Sequence, residues 1–297
     1  MKLKDSFHFY ALLTIIFWAS AFVMTKIAME HLSSGVLAFA RYFFAFAAML
    51  IFVLLYKIPL PKKEDLLWFF LSGLLGFSFY TIIFNKGTAM VTSATSSLII
   101  ATVPVITALL AAMVYKEKLK AYQWVAIFIE FAGIAVLTLW KGVLSINFGV
   151  FWLLLAAFSF SWYNLCQRRL LKKYPALQCT AYSMFAALLL LLPYGPQSVS
   201  QLSAVDFKVI AAVLVLALFC SALAYICWAK ALGMAEKTTY VTNYMFITPL
   251  LAAVWGFVLI GEVPDFGTVA GGLIIFCGIL IFNKDGIGDI LHKKNPV

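Results

Sequence analysis

The sequence predicts an all-helical integral membrane protein with ten transmembrane helices, laid out as two inverted five-helix repeats. Three observations predict it: the composition, the spacing of the apolar runs, and an internal duplication. Hydrophobic residues make up 64% of the 297 and charged residues 11%, and the mean hydropathy is +1.01. A soluble domain of this composition could not cover its core with polar surface. A membrane span needs about 20 apolar residues, and the chain has room for ten with short loops between them.

The predicted spans are 8–28, 35–56, 66–86, 93–114, 122–140, 147–166, 177–194, 207–229, 240–260 and 265–283. Lys2 and Lys4 precede the first run, which lacks a small-residue cleavage site and reads as a retained helix. Pro59-Leu60-Pro61-Lys62-Lys63-Glu64-Asp65 is a turn. Tyr194-Gly195-Pro196 opens the longest expected loop, running to Asp206, and Pro264 is expected to open the last helix. With ten spans, 17 of the 22 basic residues fall on the side of the two termini. Four (Lys26, Lys86, Lys141, Lys208) fall on the other side, and Arg41 lies inside the second span. The positive-inside rule then places both termini in the cytoplasm of a cell carrying this protein in its plasma membrane. The net charge of +10 is thus an orientation signal, and nucleic acid is not an expected partner.

The duplication is direct. Pro104, Ala108, Glu117, Phe131, Gly133 and Ile134 each meet the same residue type 145 positions later, at Pro249, Ala253, Glu262, Phe276, Gly278 and Ile279. The repeats are taken as 1–141 and 142–297, with five spans each. An odd number makes the second repeat enter the membrane from the opposite side. Exchanging the conformations of two such units opens a protein first to one side and then to the other, so the duplication points to a secondary transporter. No phosphate-binding loop argues for ATP hydrolysis. A membrane enzyme would need a cluster of acids or histidines at one interface, and His8, His31 and His292 are dispersed. A non-transporting sensor or scaffold is the other alternative, for which an inverted duplication has no obvious purpose. Cys166, Cys179, Cys220, Cys227 and Cys277 lie in or beside apolar runs without metal spacing, so they read as reduced packing residues, with no metal or cofactor expected.

On the paired prolines, glutamates and glycines (Pro104, Glu117, Gly133; Pro249, Glu262, Gly278) and on Phe17-Trp18-Ala19-Ser20 in the first helix, the chain resembles EamA-type members of the drug/metabolite transporter superfamily. The resemblance covers nearly the whole chain. Ala126 departs from a frequent glycine, and Phe160-Ser161 from a tryptophan-alanine pair. The resemblance implies a basket of helices around a central cavity, with helices five and ten peripheral. It also implies movement of amino acids, other metabolites or drugs, often outward.

Several residues could carry chemistry. Pro104 and Pro249 lie near mid-membrane, where proline bends a helix, either as static kinks or as moving gates. Phe160, Tyr163, Asn164 and Gln167 share one helix face, and Ser221, Tyr225 and Trp228 another. With Trp18 and Tyr80 they form an aromatic wall with polar handles, suited to a small-molecule substrate or to packing. Thr92 to Ser97 and Thr238 to Tyr244 are polar stretches before the prolines, in which Asn243 and Tyr244 are candidate substrate contacts. Arg41 either snorkels to the interface or faces the cavity and attracts a carboxylate or phosphate. Lys26, Lys86 and Lys230 are expected to snorkel. Glu130 is the one acid deep in a span, a candidate for proton coupling or a protonated structural acid. Glu117 and Glu262 are expected to cap turns or to pair with bases. Gly267, Gly271, Gly272 and Gly278 suit either internal packing or a homodimer contact.

Overall fold

The computed structural model describes residues 6–115, 120–139, 148–235, 241–282 and 284, and every regular element among them is helical. Helix α1 (Phe7–Met29) is capped by Ser6, whose hydroxyl accepts from the His8 amide, and α2 (Ser34–Leu55) by Ser33. This is the usual use of a hydroxyl at a helix start, where four amides lack partners. Helix α3 follows a one-turn 3-10 segment at Lys63–Asp65 and runs through Leu66–Gly73, Leu74–Ser78 and Phe79–Met90. Helix α4 has two pieces, Ser93–Ile100 and Val103–Tyr115. Helices α5 (Ala121–Leu139), α6 (Phe148–Leu170) and α7 (Ala176–Leu191) come next. Helix α8 runs through Phe207–Val215, Leu216–Leu223 and Ala224–Met234. Helix α9 (Thr248–Ile260) follows a 3-10 turn at Asn243–Ile247, and α10 is Phe266–Phe282.

Seven of these helices, α7 taken with its continuation to Leu202, are long and apolar enough to cross a membrane. Three shorter apolar segments, Ala121–Val136, Thr248–Ile260 and Phe266–Phe282, belong to α5, α9 and α10. The chain is a multi-pass membrane protein. Two sequence expectations are corrected. The stretch after Tyr194 is not a loop, because Pro196 sits in the first turn of a helix, Gly195–Leu202, where its missing amide costs nothing. Pro264 stands before α10, which starts at Phe266 with the Asp265 carboxylate accepting from the Thr268 amide at 2.8 Å.

Both repeated prolines lie where a helix restarts. Helix α4 breaks at Ala101–Thr102 and resumes at Val103, so Pro104 occupies a first turn and avoids the carbonyl clash it would make in an unbroken helix. Pro249 is in the first turn of α9, after the 3-10 segment.

Helices α3 and α8 each contain a π-helical stretch, Leu74–Ser78 and Leu216–Leu223. A π turn widens the helix and leaves carbonyls for other partners. Here other helices take them. Ser159 donates to the Leu75 carbonyl (2.7 Å) and Tyr225 to that of Gly76 (3.1 Å). Trp18 donates to the Cys220 carbonyl (3.1 Å).

Helices α5 and α10 pack on each other through their glycines, and the contact is reciprocal. A Cβ on Gly133 would stand 2.7 Å from Ile275 Cγ1 and 2.8 Å from the Gly271 carbonyl oxygen. One on Gly278 would stand 2.7 Å from Glu130 Cγ and 2.9 Å from the Ala126 carbonyl oxygen. Each residue of the first set has its mate 145 positions away in the second, the pattern of an isologous, two-fold contact. Gly272 faces Leu98 of α4, so three of the four glycines of α10 are used inside the chain.

Candidate translocation site

An aromatic cluster fills the middle of the bundle. Trp18 of α1 lies 4.8 Å from Trp228, 5.3 Å from Tyr225 and 5.6 Å from Phe160, centroid to centroid. Phe160 continues the chain to Tyr80 and to Tyr163, both at 5.0 Å, and Phe77 lies 4.5 Å from Tyr225. Each tilted or edge-on pair adds about 0.5–1.5 kcal/mol beyond burial. The π turns explain the convergence. They bring the α3 and α8 faces carrying Phe77, Tyr80 and Tyr225 towards α1 and α6, and lock them there through the borrowed carbonyls.

Beside this cluster lies a central pocket lined by Trp18, Ala21, Phe22, Arg41, Tyr80, Phe84, Ile100, Phe160, Tyr225, Met245 and Thr248. Its cavity volume is about 30 Å³. That holds about two water molecules, so a metabolite enters only if the helices part. A larger apolar cleft between α2 and α7, lined by residues such as Phe46, Leu50 and Phe185, lies away from the aromatic cluster.

Arg41 is the charged group of the pocket. It is 3% exposed. Its Nε donates to the Ser221 hydroxyl, and its guanidinium lies 5.6 Å from the Tyr42 ring centroid. Among the described residues it forms no ion pair. It does not snorkel. A buried guanidinium without an acid is costly, and the N–H groups for which the described residues supply no partner can hold an anionic group. Ser221, from the α8 π turn, orients it.

Trp18, Arg41, Tyr80 and Tyr225 therefore meet at one pocket. Tyr163, Asn164 and Trp228 sit behind it. Trp228 Nε1 donates to Asn164 Oδ1 at 3.4 Å, while the Tyr163 hydroxyl and Asn164 Nδ2 have no partner among the described residues. Tyr244 is half-buried, and its hydroxyl meets His8 Nδ1 at the start of α1. The side chain of Asn243 lies outside the described residues, as do Glu117 and Thr238 to Tyr240. Pro104 and Pro249 are at the helix restarts, with Thr248 beside Pro249 on the pocket wall. Glu130 is distant. It is buried against Gly278 in the α5–α10 contact, with Oε1 unpartnered among the described residues. Sequence reasoning singled out neither Thr248, Met245 nor Phe84 as a site residue. Thr248 could have been found from its place next to the repeated proline.

Lys26 also does not simply snorkel. Its ammonium pairs with Glu262 and donates to the Val91 carbonyl at 3.0 Å, and Glu262 Oε2 accepts from the Ser93 amide at 2.8 Å. Burial works against the Glu262 carboxylate, but Lys26 and Ser93 outweigh it and hold its pKa below the ordinary value. Gly261 aims Glu262. Its left-handed φ of 66° ends α9, and the amides of 261 and 262 return to the carbonyls of Phe257 and Gly256. Lys230 donates to the Tyr10 hydroxyl at 2.7 Å, and Lys86 lies over the Trp152 ring. At the α3 start, Asp65 accepts from Lys173 (2.9 and 3.0 Å) and from the Tyr174 hydroxyl (2.8 Å), which hold its carboxyl below the ordinary range. Among the described residues no group of three or more acids, histidines and cysteines is placed to hold a metal ion.

Comparison with known proteins agrees with this architecture. The profile of the EamA-like transporter family matches twice, over residues 6–139 and 147–284. A protein of Streptantibioticus cattleyicolor named as a probable terminal-alkyne amino-acid exporter is 28% identical, over 96% of this chain and 95% of its own. A protein of Rickettsia prowazekii named as an S-adenosylmethionine uptake transporter is 26% identical, over 85% of this chain and 84% of its own. A solved structure titled only "Crystal structure of protein" superposes with a TM-score of 0.66 at 15% identity, covering 92% of this chain and 96% of that one, and so shares the fold. The chain is a small-molecule transporter, not an enzyme, and belongs to the EamA-like transporter family.

Proposed function

We propose that the protein exports amino acids or related carboxylate-bearing metabolites across the plasma membrane. The movement is alternating access of two inverted five-helix repeats, 1–141 and 142–297, with both termini cytoplasmic. One observation carries the substrate class: the buried Arg41 guanidinium, without an acid among the described residues, on the wall of the central pocket. A carboxylate would take the donors that Ser221 leaves free, and the aromatic wall of Trp18, Tyr80 and Tyr225 would cover an apolar side chain. Both relatives described above carry printed names of amino-acid-type solutes, which supports this class. Outward direction rests on the exporter likeness and on the family tendency. Pro104 and Pro249 act as the bending points, since both sit at helix breaks beside the site. Glu130 serves packing, not proton coupling, because it lies in the α5–α10 contact away from the pocket.

The test is counterflow in proteoliposomes loaded with unlabelled amino acids, nucleosides or drug-like cations, with and without a pH gradient. Exchange is expected with amino acids. Arg41→Gln should raise the half-saturating concentration about 10–100-fold, the loss of a charge-assisted hydrogen bond, and Arg41→Lys by less. Exchange confined to cations and indifferent to Arg41→Gln would overturn the reading.

A further inference from the structure

A row of buried hydroxyls leads from the central pocket to the Lys26–Glu262 pair. Thr25, Thr88, Ser96 and Thr248 come from α1, α3, α4 and α9, are at most 4% exposed, and have hydroxyl oxygens without a partner among the described residues. Two other buried serine and threonine hydroxyls, Ser93 and Thr107, also lack a partner among the described residues, but most have one. Thr14, Ser97, Thr102 and Ser161 each donate to a carbonyl of their own helix. A buried hydroxyl without a partner is costly, so four gathered together need a reason.

Their positions supply one. Thr248 is on the pocket wall itself. Thr25 follows the wall residue Ala21 by four positions, Thr88 follows Phe84 by four, and Ser96 precedes Ile100 by four. Residues four apart share a helix face, one turn or about 6 Å along the axis. Helices α1 and α3 run out of the cytoplasm and α4 runs in, so all three steps lead to the same side of the pocket. The next residues along are Lys26, Val91 and Ser93, which together with Glu262 close that side through the ammonium, the carboxylate and the Ser93 amide.

We propose that these hydroxyls line the extracellular half of the substrate passage, and that Lys26, Glu262 and the Ser93 amide are the latch that closes it. The inference rests on the alternating-access reading above. The passage takes a polar, hydrated solute, whose water or charged ends meet the hydroxyls when the helices part. Opening separates the latch into one fixed ammonium and one fixed carboxylate at the exit, a pair that matches a zwitterion. In the closed form the hydroxyls lack hydrogen-bond partners among the described residues, which favours opening.

The test reads access, not transport. In the full chain with its five cysteines replaced, Thr25→Cys or Ser96→Cys is introduced, and cells are treated from outside with a membrane-impermeant methanethiosulfonate. Labelling should be slow with the latch intact and about tenfold faster with Glu262→Gln, the population shift expected when a charge-assisted pair is lost. Lys26→Met should act in the same way, and the reversal Lys26→Glu with Glu262→Lys should restore slow labelling. Elution as a single folded species in size exclusion qualifies each variant. Equal labelling rates in wild type, Glu262→Gln and Lys26→Met would overturn the latch. Labelling of either cysteine from the cytoplasmic side alone would overturn the passage. The result is independent of the substrate class. A latch that responds while Arg41→Gln leaves counterflow unchanged keeps this inference and removes the carboxylate reading.

Discussion

Trp228 shows how burial changes the meaning of a substitution. It is fully buried, in tilted ring contact with Trp18 and bonded to Asn164. Trp228→Ala should therefore cost about 3–5 kcal/mol of stability before it reports on affinity. Trp228→Phe keeps an aromatic ring against Trp18 and loses a long hydrogen bond and part of the ring volume. Its half-saturating concentration should change less than threefold, where Arg41→Gln changes it at least about tenfold; counterflow kinetics of the two variants side by side check this. Asp65 is a second case, outside the spans. Its carboxyl is held low by Lys173 and Tyr174, so its contribution is complete above the ordinary carboxylate value of 3.8 and fades as pH falls through the lowered folded value. The melting-temperature gap between wild type and Asp65→Asn, clear at pH 7, should hold until pH nears 3.8 and narrow below it. A gap that stays constant would mean that the carboxylate charge is not what the cluster uses.

The elements were legible where a residue type forces a local choice. Pro104 and Pro249, 145 positions apart, mark the two helix restarts because a proline lacks an amide hydrogen and clashes with the carbonyl one turn back, which a restart avoids. Gly261 and Glu262 mark a helix end that presents a carboxylate. The π turns at Leu74–Ser78 and Leu216–Leu223 were not legible, since no residue type dictates a π turn and its stabilising donors, Ser159, Tyr225 and Trp18, come from other helices. Pairing of Lys26 with Glu262 spans 236 positions, and only the packed bundle brings them together. The α5–α10 contact was half legible: its glycines announced close packing, but not with which partner. Gly278→Leu should destabilise the protein by about 1–3 kcal/mol or more, because the added side chain meets Glu130 and the Ala126 carbonyl. Glu130→Met, close in volume and free of an unpaired oxygen, should melt no lower than wild type and should keep the pH dependence of counterflow. Loss of that dependence would return Glu130 to proton coupling.

At the scale of the whole molecule, the contacts sort by end of the bundle. Ser33 beside Gln201, and Lys26 beside Glu262, join ends that ten spans place outside. Asp65 beside Lys173, His8 beside Tyr244, and Tyr10 beside Lys230 join ends placed inside. Among the described residues no such tie joins an inside end to an outside one, and this favours ten crossings even though α5, α9 and α10 are not among the seven long apolar helices. The consequence can be measured directly. In the cysteine-replaced chain, single cysteines at Ser33, Ser145, Ser203 and Val263 should react with an impermeant reagent added to intact cells. Cysteines at Lys62, Lys120 and Lys172 should react only after the membrane is opened. Ser145 is the decisive position, because it follows α5 in sequence. Reaction of Ser145→Cys on the same side as Lys120→Cys would remove α5 from the spans. The first unit would then cross four times, the second would enter from the same side as the first, and the exchange of conformations on which alternating access depends would lose its geometric basis.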